Sequence, residues 1–365
     1  MNTKLYTGNG ATSSAGTLAR TITGVGFEPS LTWVKERTSI TGGYTSHSLH
    51  DAVRTAPMTI ESNSTSAEQN VTTQYGNGGI GSFTSDGFGI HSGHAGNSDN
   101  FNVNSGNYVS WNWKANGAGS ANTDGTASNV TVSANQTAGF SIVQFDATQS
   151  RVSVGHGLGS TPDAIIMKET EGSGGWVVGG FGLDWSGYLS LQSTNAFNND
   201  SNDSSGTGRM FTPDGYAPTA SVWSTNGSAF LSGGTKTCIA YCFKSIPGYS
   251  AFTSYVGTGD TNGAFIYTGF RPAFVMVKRT DSTNNWVIYD NKRPNSFNEI
   301  THALLANSSD AEHTSTSDDD CDFLSNGVKM RCTNNASNGG GASYIMMAFA
   351  EAPLVGTNNI PCNAR

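Results

Sequence analysis

Three times along the chain a glycine-led turn ending in proline runs into a short apolar stretch closed by lysine. Gly26-Phe27-Glu28-Pro29 leads into Leu31–Val34 and Lys35, Gly159-Ser160-Thr161-Pro162 into Ala164–Met167 and Lys168, and Gly269-Phe270-Arg271-Pro272 into Ala273–Val277 and Lys278. The third copy is the clearest. A polar loop follows its lysine, and a second apolar run, Trp286–Tyr289, ends at Asp290. Two β-branched and aromatic runs joined by such a loop read as an antiparallel hairpin. A chain that writes one module three times predicts an all-β fold of three tandem antiparallel β-sandwich modules, jelly-roll or lectin-like. Their expected bounds are 1–115, 138–246 and 247–353, with 116–137 as a linker and 354–365 as a tail.

The repeat extends beyond the hairpin. Asp51-Ala52-Val53-Arg54 is matched by Asp290-Asn291-Lys292-Arg293, and Asn63 to Glu68 by Asn307 to Glu312. Module two departs here: it lacks the aspartate and carries Phe197 in place of the glutamate. Phe83, Phe211 and Phe323 each precede an Asp-Gly or Asn-Gly pair, a strong hairpin-turn signal because both turn residues would take positive φ. Those three rings are expected at matching core positions. Each module closes on an alternating strand, Tyr108–Lys114, Cys238–Lys244 and Tyr344–Ala350. Trp111 and Trp113, spaced by two, share one strand face. Their counterparts Tyr241 with Phe243 and Met347 with Phe349 are also large and apolar, so these positions read as core. The spacer Ala115–Thr137 reads as a linker with one short strand at Val130–Val132. No amphipathic helix is evident.

Composition narrows the function classes. Charged residues are 13% of the chain, against about 25% in an ordinary globular protein, and 46 glycines accompany dense Ser, Thr and Asn. Hydrophobic residues at 36% still suffice for compact cores. A net charge of −8 with 19 scattered Lys and Arg argues against nucleic-acid binding. No apolar run reaches membrane-spanning length, so no membrane insertion is expected. The N-terminal MNTKLYTGNG carries no apolar signal-peptide region. An extracellular-looking surface without an export signal suggests a protein made in a host cytoplasm and carried on a virus particle.

These residues resemble a repeated β module of virion proteins from marine tailed phages, cyanophage- and pelagiphage-like. The resemblance rests on the G-F-x-P turn with its V-x-V-K strand, W-V-I-Y-D, N-x-x-x-A-E, the closing Y-V-x-W-x-W-K strand, and the terminal Gly356-Thr357-Asn358-Asn359-Ile360-Pro361-Cys362. It implies a tail-fibre or adhesin-type surface component of the virion. Capsid decoration or connection is the alternative role, and a polysaccharide-degrading tailspike a third. It brings no catalytic residues with it, and a non-enzyme is the expectation. By the same analogy the partners would be other virion proteins, a host surface glycan, and further copies of the chain in a homo-oligomer, a trimer above all. That interface is expected at residues that break the repeat, the Trp185–Tyr188 loop, the Ala115–Thr137 linker and the tail beyond Pro353, since equivalent positions of three modules cannot all meet one oligomer axis.

The candidate sites are few. Asp51 with Glu68, and Asp290 with Glu312, have the composition of a paired-carboxylate or Ca²⁺ site. The plainer reading is that they tie loops down, with Arg54 and Arg293. Asp318 and Asp320 belong to an acidic run that lacks the spaced D-x-D-x-D-G loop, so no cofactor is expected and Ca²⁺ is the single ion worth testing. Gly155-His156-Gly157-Leu158-Gly159 has no following helix and reads as a turn rather than a phosphate loop. Trp185, Tyr188 and Trp223 have no counterparts in the other modules and are the interaction candidates. Five cysteines form no evident framework; Cys321 and Cys332, counted from an Asn326-Gly327 turn, would face each other in a geometry poorly suited to a disulfide.

Overall fold

The apolar runs after each proline are too continuous for strands with one face in water, and their burial explains why. A computed structural model describes residues 1–74, 76–93, 100–199, 210–212, 216–294, 298–314 and 320–350. Its strands are antiparallel throughout. Each repeat contributes the same four-stranded order: an opening strand, the closing strand, then the two strands of the hairpin. In module one these are Asn2–Thr7, Asn107–Trp113, Leu31–Glu36 and Ser48–Asp51. In module two they are Phe140–Ala147, Lys236–Phe243, Ala164–Glu169 and Val177–Gly180, and in module three Ser250–Val256, Ser343–Ala350, Pro272–Arg279 and Trp286–Asp290. We call these the inner sheets. Both hairpin strands are buried at every residue, apart from Arg279, as continuous apolar strands covered on two sides should be.

One face of each inner sheet packs within its own module. In module three, Val275, Val277, Tyr289, Met346 and Ala348 share a core with Ile266, Phe323 and Val328 of a second sheet. Module one does the same with Tyr6, Val34 and Tyr108 against Ile22, Phe88 and Ile90. The opposite faces of all three inner sheets meet in a common core that includes Trp33, Trp111 and Trp113, then Ile166, Trp176, Tyr241 and Phe243, then Phe274, Met276, Trp286 and Phe349. Phe349 sits edge-on to Trp113 at 5.7 Å and to Phe243 at 5.9 Å, so the closing strands of all three modules touch. Equivalent positions of the three repeats therefore converge inside one chain.

Hydrogen bonds close the three junctions into a ring. At the position opening the second hairpin strand, His47, Trp176 and Trp286 each direct a ring nitrogen at a main-chain carbonyl of another module: His47 Nε2 to Leu305 O at 2.9 Å, Trp176 Nε1 to Glu61 O at 2.7 Å, and Trp286 Nε1 to Ser190 O at 2.9 Å. Trp33 Nε1 donates to His47 Nδ1, which fixes the proton of the neutral ring on Nε2. The three signature lysines repeat the pattern one layer away. Lys35 donates to Ser309 O, Lys168 to Thr65 O and Lys278 to Thr194 O, all at equivalent loop positions. The loops answer in the reverse direction: Glu68 N donates to Thr170 O, Phe197 N to Thr280 O, and Glu312 N to Arg37 O. Module one thus meets module two, two meets three, and three returns to one through the same set of contacts.

Several expectations need correction. The spacer 116–137 is not all linker, because Ser128–Asn135 pairs along Phe140–Ala147 and extends the inner sheet of module two; Val130 and Val132 supply its buried side. The hairpin turns lie one residue earlier than expected: Thr84 pairs with Gly87 and Leu324 with Gly327, so Ser85-Asp86 and Ser325-Asn326 form the turns. The glycines serve close approach instead. A Cβ on Gly87 would lie 2.0 Å from Ile22 O, and one on Gly327 2.3 Å from Ile266 O. Asp214-Gly215 of module two and the tail 354–365 fall outside the described residues. With the turn moved, Cys321 faces Met330 and not Cys332; no disulfide joins the described cysteines. Phe211 and Phe323 are buried, while Phe83 is only half-buried beside the core of module one.

Two outcomes follow for denaturation experiments. Phe323→Ala is expected to cost about 3–5 kcal/mol, and Phe83→Ala less; the reverse order in chemical unfolding would contradict these core assignments. Burial lowers the pKa of His47 and His50, the latter to about 3, and lowers Lys35, Lys168 and Lys278 to about 8. Below pH about 6.5 the unfolded chain takes up histidine protons that the folded chain refuses, so stability falls with acidification. From about pH 8 the unfolded chain keeps lysine protons that the folded chain has shed, which adds stability; from about pH 9 the opposite holds for Cys238, Cys242 and the buried tyrosines, whose pKa values burial raises, and they offset the gain. Thermal melts should show the acid limb, and Lys→Met at the three lysines together should remove the lysine contribution and leave stability falling above about pH 9.

Candidate functional site

The structure engages the repeated acids with arginine. Asp51 ends the second hairpin strand of module one, where its Oδ1 accepts from the main-chain N–H groups of Val53 and Arg54. Its Oδ2 takes the Arg54 guanidinium at 2.6 Å, and Arg54 reaches Glu68 at 3.1 Å. Module three copies this: Asp290 caps Lys292 and Arg293, with Arg293 at 2.5 Å from Asp290 and 2.9 Å from Glu312. Arg37, from module one, adds a two-pronged pair to Glu312, with contacts of 2.6 and 2.9 Å. Burial works to raise both glutamate pKa values. It prevails at Glu68, where Arg54 is the single arginine, whereas Arg37 and Arg293 together hold Glu312 below the usual carboxylate range. Asp51, Asp290, Arg54 and Arg293 are all sealed from solvent.

A third partner reaches each aspartate from another module's closing strand. Tyr241 OH donates to Asp51 Oδ2 at 2.9 Å, and Trp111 Nε1 to Asp290 Oδ2 at 3.0 Å. Around the ring the equivalent of Trp111 and Tyr241 in module three is Met347, which has no such donor. The acid–arginine–acid set it would address is Gly180, Leu183 and Phe197 in module two, so donor and acceptors are missing together. Leu183 and Phe197 instead pack against the shared core. The departure of module two that is visible in the sequence is thus one apolar junction replacing two charged ones.

The remaining candidates fall in different places. Among the described residues no cluster of three or more His, Cys, Asp or Glu is placed to hold a metal ion. Asp290 and Glu312 are bound up in the junction just described. Asp320 is buried, and Asp318 lies outside the described residues. Trp223 is not a surface residue: it is buried edge-on to Phe145 at 5.6 Å in the module-two core. Trp185 is partly buried, edge-on to Phe211 at 5.6 Å, and Tyr188 packs on the same core. A Ser48–His50 pair at 2.9 Å was not anticipated, but it is wholly buried, with His50 Nδ1 on the Ala56 carbonyl. Nothing can reach it as a nucleophile.

Sequence reasoning also missed an exposed aromatic pair. Phe265 and Tyr267 lie on Phe265–Tyr267, the edge strand of the outer sheet of module three, at 47% and 67% exposure. Ile266 between them points into the core. The register aligns Phe265 with Lys329 and Asp322, and Tyr267 with Gly327 and Leu324. Module one has Thr21 and Thr23 on its corresponding strand, and that contrast was the available signal.

The junctions predict a specific mutational pattern. Arg293→Leu alone leaves Asp290 buried without its cation, and Glu312 with Arg37 only, and is expected to cost about 3–5 kcal/mol. Adding Asp290→Ala and Glu312→Phe, which approaches the module-two pattern, should recover part of that loss. A triple variant less stable than Arg293→Leu in urea titration would contradict this account.

Neither curated proteins nor solved structures gave a match to this chain. One family profile matches residues 1–353, a single span that takes in all three repeats and the spacer between the first two. With nearly the whole ring inside that span, the chain belongs to the family described as domain of unknown function DUF7483.

Proposed function

We propose that this chain is a structural protein on the surface of a phage virion, a tail-fibre or adhesin-type component that attaches to the host or to neighbouring virion proteins. The observation that carries the reading is where the repeated residues go. The signature lysines, ring donors, acids and arginines close the three modules on one another, and the exterior carries features that differ between modules. A rigid scaffold with variable outer surfaces suits recognition. The carboxylates that a polysaccharide-degrading spike would need are held by arginine, which favours attachment over hydrolysis. Homo-oligomerisation, with three copies the expected number, would have to use surface other than the signature strands, since their apolar faces are covered within the chain.

Immunogold labelling of purified particles with an antibody to this chain tests the proposal. Label on the tail or its fibres is expected. Label confined to the head would move the role to capsid decoration, and particles lacking the chain by mass spectrometry would end the virion reading.

A further inference from the structure

We infer that Phe265 and Tyr267 form a stacking platform for a pyranose sugar, a glycan-binding site on the outer edge of module three. The inference deepens the attachment reading and rests on it for biological context, but its geometry stands by itself. Residues two apart on a strand point the same way at about 6.6–6.8 Å spacing, so both rings present to one side. The C–H face of a pyranose is apolar and stacks on such rings, while its hydroxyls need polar groups beside them. Lys329 stands directly opposite Phe265, with Asp322 beyond it on the same face. Lys329 Nζ is steadied by Gly263 O at 2.5 Å, and Arg331 holds Asp322 at 2.6 Å. Lys329 therefore flanks the rings in a fixed position, and the half-exposed Arg331 guanidinium stands beyond it, anchored on the buried Asp322.

Packing does not account for the rings. Phe265 leans over Gly327, where an added Cβ would come within 2.8 Å of its ring, and covering a glycine in a sheet is a known structural use of an aromatic. Yet Gly87 occupies the same place in module one, opposite Thr23, and there the nearest neighbours are the main chain of Ile22 and Thr23 rather than a ring. Tyr267 is more exposed still. The other large hydrophobics that stand exposed among the described residues are Leu18, Tyr216 and Val256, outside this strand. Two half-exposed rings offer on the order of 200 Å², far short of the roughly 800 Å² per partner of a stable protein interface. A patch of that size fits one or two sugar rings and not a protein face.

The test uses the full chain and the double substitution Phe265→Thr with Tyr267→Thr, which installs the side chains module one carries on the corresponding strand. Probes are immobilised hexasaccharides of β-1,4-glucan, α-1,4-glucan, galactan and mannan, with saturation-transfer NMR on whichever binds. The native chain is expected to bind at least one, with transfer to the Phe265 and Tyr267 rings. The double variant, with an unchanged melting curve, should lose about tenfold or more in affinity. Binding to none of the four, or equal binding by the variant, overturns the site. A variant that loses binding and also melts lower is resolved by Tyr267→Thr alone: it must lose affinity at native stability or the inference falls. These outcomes are separate from particle labelling, because a chain found on the virion but indifferent to the substitution would sink the glycan site and leave the attachment reading standing.

Discussion

An inner sheet with two apolar faces cannot be satisfied by one partner, and every other feature of the molecule follows from how the second face is covered. In each module the first face meets its own outer sheet, and the second meets the inner sheets of the other two. Burying a Phe-sized side chain contributes about 1.5–3 kcal/mol, whereas a neutral hydrogen bond nets about 1 kcal/mol. With Trp111, Trp176, Trp286 and Phe349 all buried in the shared core, apolar burial supplies the cohesion. The cross-module hydrogen bonds do something burial cannot. A ring nitrogen and a lysine that must both find main-chain carbonyls fix the rotation and register of each junction, because a slipped arrangement leaves buried donors unmade at about 1–3 kcal/mol each.

The junctions are also distinguishable. Tyr241 on Asp51 and Trp111 on Asp290 place a neutral donor against a carboxylate already paired with arginine. The third junction replaces both sides with apolar groups. Putting Met347 against Asp51 would strip that acid of a buried partner, and putting Trp111 against Gly180 and Leu183 would bury an indole N–H with nothing to accept from it. Each wrong pairing costs more than the right one, so the cyclic order of the modules is written into these side chains. Buried ion pairs contribute little net stability; their use here is in selecting partners.

The all-β class, the repeated hairpins and the core position of the closing-strand aromatics were legible because each repeats a local pattern. The ring was not, for a physical reason. Lys35, Lys168 and Lys278 look like the polar end of a strand, and a lysine reaching a carbonyl in another module leaves the same local signature as one reaching water. The stronger clue was that the hairpin strands lacked period-two alternation, which signals burial on both faces. Acid and arginine positions in modules one and three were read correctly as ties, but the partner from the closing strand of another module could not be seen without the fold. The Asp-Gly and Asn-Gly pairs misled by one residue, since the glycine opens the second strand of each hairpin, close against Ile22 O and Ile266 O, instead of ending the turn. Trp223, an interaction candidate because it lacks counterparts, takes the packing role that was its equal alternative: an unrepeated residue can fill a core peculiar to its module.

Joining the three modules in one chain changes what the outside can do. In a trimer of identical subunits every surface substitution appears three times, and any outer feature must be tolerated at three places. Here the outer strand of module three carries Phe265 and Tyr267 while that of module one carries Thr21 and Thr23. The inward residues must keep their pattern because each is one side of a junction whose other side is fixed. Outward residues meet only solvent and are released from that constraint. The ring therefore separates two demands that compete in a single sandwich: positions that hold the structure face the shared core, and positions free to acquire a ligand face away from it. An exposed ring pair on one module alone, beside a lysine already held in place, is what such a separation permits.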